Sequence, residues 1–188
     1  MNIDKMKRLD SPERLAEYQI DKLFELMNIK AHEIILDVGS GTGALTIPLA
    51  KELDTGCVKA IDIDNKLLEI IDNKIEASNI DNIETILFDG TLPITIGMVD
   101  KVFACVVFHE IEDKREFLNL YNSCLKVGGA IYIVEFTSSK RRINDNSNVK
   151  REYITSEATE KLLSSCGFAD ISTTVINELI YMTIGYKA

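Results

Sequence analysis

The sequence contains few of the residues that build metal and redox centres. Its four cysteines are too far apart to form a CxxC pair, which excludes a zinc site or a dithiol motif of that kind, and we predict no metal. They stand at Cys57, Cys105, Cys124 and Cys166. We interpret them as reduced and mostly buried small apolar side chains, which is typical of a cytoplasmic protein.

Positive charge is also scarce. The chain has 21 lysine and arginine residues against 30 aspartates and glutamates, which gives a net charge of -9 at pH 7. An acidic surface repels phosphate backbones and anionic membranes, so we do not expect nucleic acid as a partner. No apolar run approaches the roughly 20 residues that cross a bilayer, and the first residues lack the apolar core of a signal peptide. We therefore predict a cytoplasmic protein without a membrane span, and its oligomeric state stays open.

What the sequence does contain is a regular alternation of strand-like and helix-like segments. The predicted strands, of which the last two form an antiparallel hairpin, are Glu33–Val38, Cys57–Ile61, Ile83–Phe88, Val102–Phe108, Ala130–Phe136, Phe168–Ile176 and Leu179–Tyr186. Alternating strands and helices predict a parallel, doubly wound α/β sheet with helices on both faces. The 188 residues fit one domain. Within it we predict a helical cap over residues 1–30 and a variable loop or lid over residues 137–153.

Two helix boundaries are predicted from local signals. Ser11-Pro12-Glu13 combines a capping hydroxyl with a proline at the first helical position. The apolar residues that follow at helical spacing predict one buried face, formed by Ala16, Ile20, Leu23 and Met27. Further along, Gly128-Gly129 is predicted to end the helix that Phe117 and Tyr121 mark, directly before the fifth strand.

A glycine loop joins the first predicted strand to the next helix. It consists of Gly39, Ser40, Gly41, Thr42 and Gly43. Glycines permit positive φ angles and close backbone approach, and a helix N-terminus offers free N–H groups, so such a loop is typical of anion and nucleotide sites. Together with Ala44, the loop also fits the GxGxxG/A pattern of dinucleotide-binding proteins. The loop alone leaves these ligands open.

Three aspartates narrow the choice among these ligands. Each lies at a strand end, on the edge where α/β sheets bind ligands. Asp37 lies two residues before Gly39, where a carboxylate would repel the pyrophosphate of a dinucleotide but suits an ammonium and a sulfonium. Asp62 ends the second strand, where a carboxylate can accept hydrogen bonds from both ribose hydroxyls. Asp89 ends the third strand, where a side-chain acceptor can take an adenine amino proton.

These features resemble the first motif and the following acidic positions of the class I S-adenosylmethionine-dependent methyltransferases. Three further segments are similar to the small-molecule branch of that family, in the UbiE-like and arsenite-methyltransferase-like group: Val106–Asp113, Leu125–Gly129 and Tyr153–Phe168. The resemblance implies a seven-stranded sheet of order 3-2-1-4-5-7-6, with the seventh strand antiparallel. It also implies S-adenosylmethionine as the cofactor and S-adenosylhomocysteine as its product.

The resemblance assigns residues to the cofactor and to catalysis. The cofactor positions are Asp37, the five residues of the glycine loop, Asp62, Ile63, Asp89, Gly90 and Val106. The residues after the fourth strand lie nearest the transferred methyl group, because the first and fourth strands flank the topological switch point. His109 and Glu110 are therefore the catalytic candidates. His109 is either a general base or a wall of the pocket, and Glu110 is either its partner or a solvated carboxylate.

The absence of one motif narrows the class of methyl acceptor. Methyltransferases that act on amide or nucleobase nitrogens usually carry an Asn/Asp-Pro-Pro-Tyr/Phe loop after the fourth strand, whereas this chain has Phe108-His109-Glu110-Ile111. We therefore predict methyl transfer to a small molecule. Two alternatives stay open: a nicotinamide-dependent oxidoreductase, which Asp37 disfavours, and a methyltransferase fold that binds a ligand or a partner without turnover.

Overall fold

The structure, a computed structural model, describes residues 10–137 and 153–188. Its strands are β1 (Ile34–Val38), β2 (Cys57–Asp62), β3 (Ile83–Leu87), β4 (Val99–Cys105), β5 (Leu125–Phe136), β6 (Phe168–Val175) and β7 (Ile180–Lys187). They form one sheet in the order β3-β2-β1-β4-β5-β7-β6. Strands β1 to β5 pair in parallel, and β7 is antiparallel to both β5 and β6. The predicted α/β fold, its strand order and the final hairpin are confirmed.

Helices connect the strands and cover both faces of the sheet. They are α1 (Pro12–Tyr18), α2 (Ile20–Met27), α3 (Thr46–Lys51), α4 (Asn65–Ser78), α5 (Lys114–Cys124) and α6 (Ser156–Ser165), with a 3-10 turn at Phe108–Glu110. One face packs against α1, α2 and α3 in a cluster that includes Leu23 and Phe103. The other packs against α5 and α6 in a cluster that includes Val102 and Leu118. Val102 and Phe103 are neighbours in β4 and point to opposite faces of the sheet. Both are fully buried, because helices cover both faces.

The N-terminal helix is interrupted. Ser11 caps α1 as predicted, since its hydroxyl accepts a hydrogen bond from the N–H of Arg14 at 3.3 Å. Gln19 then takes a left-handed conformation (φ 47°) and separates α1 from α2. Because the helix does not continue through Gln19, Ala16 is exposed while Tyr18 is buried. The prediction of one continuous buried face that begins at Ala16 is therefore wrong.

The fourth strand lies earlier in the chain than predicted. The predicted span Val102–Phe108 is wrong, because Val106 adopts a left-handed φ of 57° through which a strand cannot continue. Phe108 is fully buried all the same, within the 3-10 turn. An apolar run therefore indicates burial here without showing whether the backbone is a strand or a turn.

The predicted helix end at Gly128-Gly129 is also wrong. Helix α5 ends at Cys124, and β5 begins at once with Leu125. The Lys187 ammonium takes the place of a glycine cap, because it donates to the carbonyl oxygens of Asn122 and Leu125 at 2.7 Å each. Gly128-Gly129 lies instead inside β5, where Gly128 has a φ of 78° and the pairing with β4 is irregular.

Part of the predicted cap and most of the predicted lid lie outside the described residues. These are residues 1–9 of the cap over residues 1–30, and residues 138–152 of the lid over residues 137–153. Within the described ranges, no helix combines the length and the apolar character that a membrane span needs.

Candidate active site

The predicted ligand-binding residues lie around the carboxyl ends of β1, β2 and β4. Val38, the last residue of β1, pairs with Ile61 of β2 and with Ala104 of β4. Strands β1 and β4 are neighbours although β2 and β3 lie between them in the chain. The segments that follow β1 and β4 therefore leave the sheet on opposite sides and open a crevice, which is where α/β sheets bind ligands.

The glycine loop packs closely against β2 and against the segment after β4. The N–H groups of Gly39 and Ser40 donate to the carbonyl oxygen of Ile61 at 2.8 and 3.0 Å. Gly39 has a φ of 71°, and a β-carbon there would lie 2.6 Å from Cγ2 of Val107. The close approach of the two segments therefore requires glycine at this position.

Asp62, the last residue of β2, connects the glycine loop to the second strand. Its Oδ2 accepts a hydrogen bond from the N–H of Gly41 at 2.8 Å, and its Oδ1 accepts one from the N–H of Asp64 at 3.0 Å. A carboxylate offers about four lone-pair positions, so it retains capacity for the hydroxyl donors of a ligand. Ile63 follows directly and is 78% exposed, which places an apolar side chain beside the carboxylate.

Asp37 is a buried carboxyl group near the end of β1. Its Oδ2 accepts a hydrogen bond from the Thr46 hydroxyl at 2.5 Å. Burial raises the pKa of Asp37 to about 6, while the bond from Thr46 lowers it and the charge of Asp62 raises it further. A bound cation would favour the charged form of such a group, so Asp37 fits the predicted contact with the ammonium of S-adenosylmethionine.

The two polar side chains of the loop differ in their surroundings. The Thr42 hydroxyl donates to Asp10 at 2.7 Å, and the Lys74 ammonium donates to Asp10 and to the Thr42 carbonyl at 2.9 and 2.8 Å. Thr42 thus joins the loop to the N-terminal segment.

The Ser40 hydroxyl is buried without a hydrogen-bond partner in the described part of the chain. A buried hydroxyl of this kind fits a site where a ligand supplies the partner. Gly43 (φ 78°) closes the loop with its N–H on the Ser40 carbonyl at 2.9 Å.

The residues predicted to contact adenine lie in an open loop after β3. The N–H of Phe88 donates to the Asp62 carbonyl at 2.9 Å, so this loop begins beside the end of β2. Asp89 is exposed, and the hydroxyl and N–H of Thr91 donate to its Oδ1 at 2.8 and 3.1 Å, which lowers the pKa of the carboxyl. Gly90 has a φ of 104° and open space where a β-carbon would lie. Both residues are therefore accessible to a ligand.

His109 lies in the 3-10 turn after β4, and only 3% of its side chain is exposed. Its Nδ1 is 3.0 and 2.9 Å from the two carboxylate oxygens of Glu135, and its backbone N–H donates to Glu135 Oε1 at 2.9 Å. The ring of Tyr153 stacks on the imidazole with the centroids 6.3 Å apart. Nε2 is buried and has no hydrogen-bond partner among residues 10–137 and 153–188. The Glu110 carboxylate is 3.8 Å from Nε2 and is 58% exposed, so it is mostly solvated.

The backbone between β4 and the 3-10 turn is strained. Val106 is β-branched and has a φ of 57°, a conformation that costs about 1–3 kcal/mol. Its N–H donates to the Val134 carbonyl at 2.8 Å. Just before it, burial raises the pKa of the Cys105 thiol well above its usual range, and the charges of Asp37 and Glu135 raise it further. Cys105 is therefore a protonated thiol at neutral pH and not a thiolate nucleophile.

Two residues of the site were not predicted from the sequence. Glu135 is the charged residue in the otherwise apolar run Ala130–Phe136, and a charge in a central strand is a signal of a paired buried group. Thr46 carried no comparable signal, because nothing local shows that the first turn of α3 packs on Asp37. Tyr18, at the end of α1, is buried in the apolar cluster on the α1–α3 face of the sheet, and its hydroxyl accepts a hydrogen bond from Nε of Arg14 at 2.6 Å.

Relatives of known sequence place the chain in a family. The chain matches the model of the ubiE/COQ5 methyltransferase family over residues 2–154. A demethylmenaquinone methyltransferase of Tropheryma whipplei is 30% identical over 142 residues, which are 75% of this chain and 57% of that protein. A release factor glutamine methyltransferase of Fusobacterium nucleatum is 36% identical over 95 residues, which are 49% of this chain and 25% of that protein. The chain thus spans little more than half the length of the Tropheryma relative and a quarter of the Fusobacterium one.

A solved structure shares the fold over its full length. A SAM-dependent methyltransferase from Aquifex aeolicus superposes with a TM-score of 0.89 over 100% of both chains, at 21% sequence identity. At 21% identity the structural similarity shows only that the two proteins share a fold. The match to the family model shows which family the chain belongs to. The predicted resemblance and its cofactor, S-adenosylmethionine, are thereby confirmed: the chain belongs to the ubiE/COQ5 methyltransferase family.

Proposed function

We propose that the chain transfers the methyl group of S-adenosylmethionine to a small aromatic acceptor of the quinone type, in its reduced, hydroxylated form. The observation that carries this proposal is the convergence of the glycine loop, Asp62 and His109 at the carboxyl ends of neighbouring strands, in a chain of this family. The name of the Tropheryma relative, a demethylmenaquinone methyltransferase, supports a quinone-type acceptor. A methyl cation equivalent needs an electron-rich partner, which favours the reduced form over the quinone.

The chain has a polar group for each polar part of the cofactor. The Asp37 carboxylate receives the ammonium group, and the remaining lone pairs of Asp62 receive the ribose hydroxyls. The exposed loop at Asp89 and Gly90 receives the adenine, with Ile63 as an apolar contact. When bound, the cofactor supplies an electrophilic methyl group on a sulfonium.

The residues after β4 act on the acceptor. Nε2 of His109 accepts the proton that the acceptor hydroxyl loses, and Tyr153 and Val106 help to keep water out of this part of the crevice. Holding two reactants together in a reactive geometry can lower a barrier by roughly 7–11 kcal/mol. General-base catalysis by a placed imidazole adds a factor of about 10²–10⁴.

A protein amide is a second acceptor class to be tested. The match to release factor glutamine methyltransferase covers 49% of the chain. The segment after β4 carries Phe108–Ile111 in place of the proline-containing loop that holds an amide nitrogen. This difference favours the hydroxylated small molecule. A nicotinamide-dependent oxidoreductase finds no support in the family, and a binding module without turnover is an outcome of the assay below.

A methyl-transfer assay with purified protein tests the proposal. S-adenosylmethionine with a labelled methyl group is offered with a reduced demethylmenaquinone analogue, with the same compound oxidised, or with a glutamine-containing peptide. We expect label in the reduced compound alone. Label in the peptide, or cofactor binding without transfer to any acceptor, would contradict the proposed reaction.

The His109→Ala variant separates catalysis from binding in the same assay. If His109 removes a proton, turnover falls by about 10²–10⁴ and the affinity for S-adenosylhomocysteine stays nearly unchanged. If it is only a wall of the pocket, the KM for the acceptor rises instead. A variant that no longer binds the cofactor would contradict both roles.

A further inference from the structure

Glu135 is a buried carboxylate that points at the proposed base from the neighbouring strand. It lies near the end of β5 with 1% of its side chain exposed, and both of its oxygens face Nδ1 of His109. We propose that Glu135 is a positioning residue, which holds His109 in the tautomer with the proton on Nδ1 and so leaves Nε2 as the proton acceptor. This inference rests on the proposed methyl transfer.

The tautomer follows from the chemistry of the two groups. An ionised carboxylate only accepts hydrogen bonds, so a bond between Glu135 and Nδ1 requires the proton on Nδ1. In the neutral ring the other nitrogen then carries a lone pair. That nitrogen, Nε2, is the one that lacks a partner in the part of the chain that the structure describes. Its lone pair is therefore left without a hydrogen-bond donor in the described residues, and we assign that donor to the acceptor hydroxyl.

Glu135 is held independently of the imidazole ring. Its Oε1 accepts the backbone N–H of His109 at 2.9 Å, and its Oε2 accepts the backbone N–H of Phe136 at 3.4 Å. The carboxylate is thus oriented by the main chain, and the ring is oriented by the carboxylate. The Glu110 carboxylate does not take this role, because it lies 3.8 Å from Nε2, on the other side of the ring, and is largely exposed.

The proton balance of the reaction depends on this arrangement. The O–H bond of the acceptor breaks and its proton bonds to Nε2, while the Glu135 carboxylate stabilises the imidazolium through Nδ1. The electron pair left by the O–H bond, shared between the oxygen and the ring, forms the bond to the methyl carbon, while the carbon–sulfur bond breaks and its electron pair stays on sulfur. Where a ring carbon is the attacking atom, its hydrogen then leaves as a proton and the oxygen regains one, which restores the aromatic hydroxyl. His109 then releases the proton to solvent. A ring with its proton on Nε2 would present a donor to the acceptor hydroxyl and could not take this proton.

The Glu135→Gln variant keeps the shape of the side chain, reverses the hydrogen bond at Nδ1 and gives up the 3.4 Å bond from the N–H of Phe136. The amide oxygen stays on the backbone N–H of His109, since that 2.9 Å bond needs an acceptor. The amide NH₂ then occupies the position of Oε2, 2.9 Å from Nδ1, and donates to it. The amide oxygen also lies 3.0 Å from Nδ1, but a proton on Nδ1 would meet the hydrogens of the NH₂ group 2.9 Å away. We therefore expect the ring to accept at Nδ1 and to carry its proton on Nε2, which is the wrong tautomer for the proposed base.

Nitrogen NMR of the full chain reads this tautomer directly. The chain has two histidines, so a ¹⁵N-histidine-labelled sample gives two rings, and His32→Gln assigns them. Spectra are taken across the pH range in which the protein is folded. We expect neutral His109 with Nδ1–H in the wild type, with Nε2–H in Glu135→Gln, and with Nδ1–H in the control Glu110→Gln. A wild-type ring with Nε2–H, a ring that never becomes neutral, or an unchanged tautomer in Glu135→Gln would overturn the proposal.

Kinetics distinguish positioning from mere support of the fold. We expect Glu135→Gln to lower kcat by about 10²–10⁴, with the KM for the acceptor and the affinity for S-adenosylhomocysteine unchanged. Glu135→Asp, which keeps the carboxylate, should recover part of kcat. A Glu135→Gln variant that has the Nε2–H tautomer and full kcat would overturn the role. Failure of the proposed function is distinguishable, because the wild type would then transfer no methyl group while the NMR result on the free protein stands.

Discussion

Buried polar groups are fully paired at one end of the sheet and incompletely paired at the other. At the amino ends of β1 and β4, the Lys101 ammonium and the Glu33 carboxylate form a buried ion pair. Beside it, Asp100 accepts hydrogen bonds from the N–H of Ile34 at 2.8 Å and from the Lys126 ammonium at 2.7 Å. Each of these charges has a partner supplied by the protein itself.

At the carboxyl ends the partners are incomplete. Asp37 is buried with a raised pKa, the Ser40 hydroxyl and Nε2 of His109 are buried without hydrogen-bond partners in the described ranges, and Val106 is strained. Unsatisfied polar atoms and backbone strain reduce stability. One end of this sheet therefore pairs its buried charges within the chain, while the other leaves buried polar atoms unsatisfied at some expense of stability.

Removal of one partner at the amino end should have the largest effect on stability. Lys101→Met leaves the buried Glu33 carboxylate without its counter-ion and with only the backbone N–H of Lys30 as a partner among the described residues, which is expected to lower the free energy of unfolding by about 3–5 kcal/mol in a urea titration. The matched control is Lys59→Met, because Lys59 pairs with Glu84, whose side chain is 58% exposed. Loss of this exposed ion pair should lower the free energy of unfolding by about 1 kcal/mol at most. Equal effects of the two substitutions would contradict the comparison.

At the carboxyl end, Asp37→Asn should stabilise the cofactor-free protein at neutral pH. Burial raises the pKa of Asp37 from 3.8 to about 6, so the folded state binds this proton more tightly than the unfolded chain. The stability that the proton provides is present below pH 3.8 and is lost as the pH rises through about 6. The Asn side chain is uncharged at every pH, so the variant does not lose this stability. Above about pH 6 its free energy of unfolding should exceed that of the wild type by up to about 3 kcal/mol, at about 1.4 kcal/mol per pKa unit.

Urea titrations at several pH values test this gain. The difference in unfolding free energy between Asp37→Asn and the wild type should grow as the pH rises through about 6 and then level off. The same variant should bind S-adenosylhomocysteine more weakly, since the neutral amide attracts an ammonium less. A difference that does not change with pH would show that Asp37 has an ordinary pKa.

Asp62→Asn should weaken cofactor binding by about 1.5–3 kcal/mol, the value of one charge-assisted hydrogen bond. Asn suits this test better than Ala, because its oxygen can still accept the Gly41 N–H and hold the loop. The control Asp54→Asn removes the same charge from an exposed position and should leave the affinity unchanged. Calorimetry that finds equal affinity in both variants would place the ribose elsewhere.

The sheet was predictable, as was the placement of Asp37, the glycine loop and Asp62 at its carboxyl edge, because the signals for both are local. Apolar periodicity marks the strands, and the spacing of Asp37, the glycine loop and Asp62 lies within one stretch of chain. The left-handed Val106 and the Glu135–His109 contact were not predictable, because they depend on packing between segments. Glu135 is 26 residues from His109, and only the pairing of β4 with β5 brings the two together.

The most direct test of the carboxyl end as the cofactor site is thermal unfolding with added ligands. S-adenosylhomocysteine at about 100 times its dissociation constant should add roughly 2.7 kcal/mol to the free energy of unfolding, and NAD should add nothing. Stabilisation by NAD without any by S-adenosylhomocysteine or S-adenosylmethionine would contradict the account.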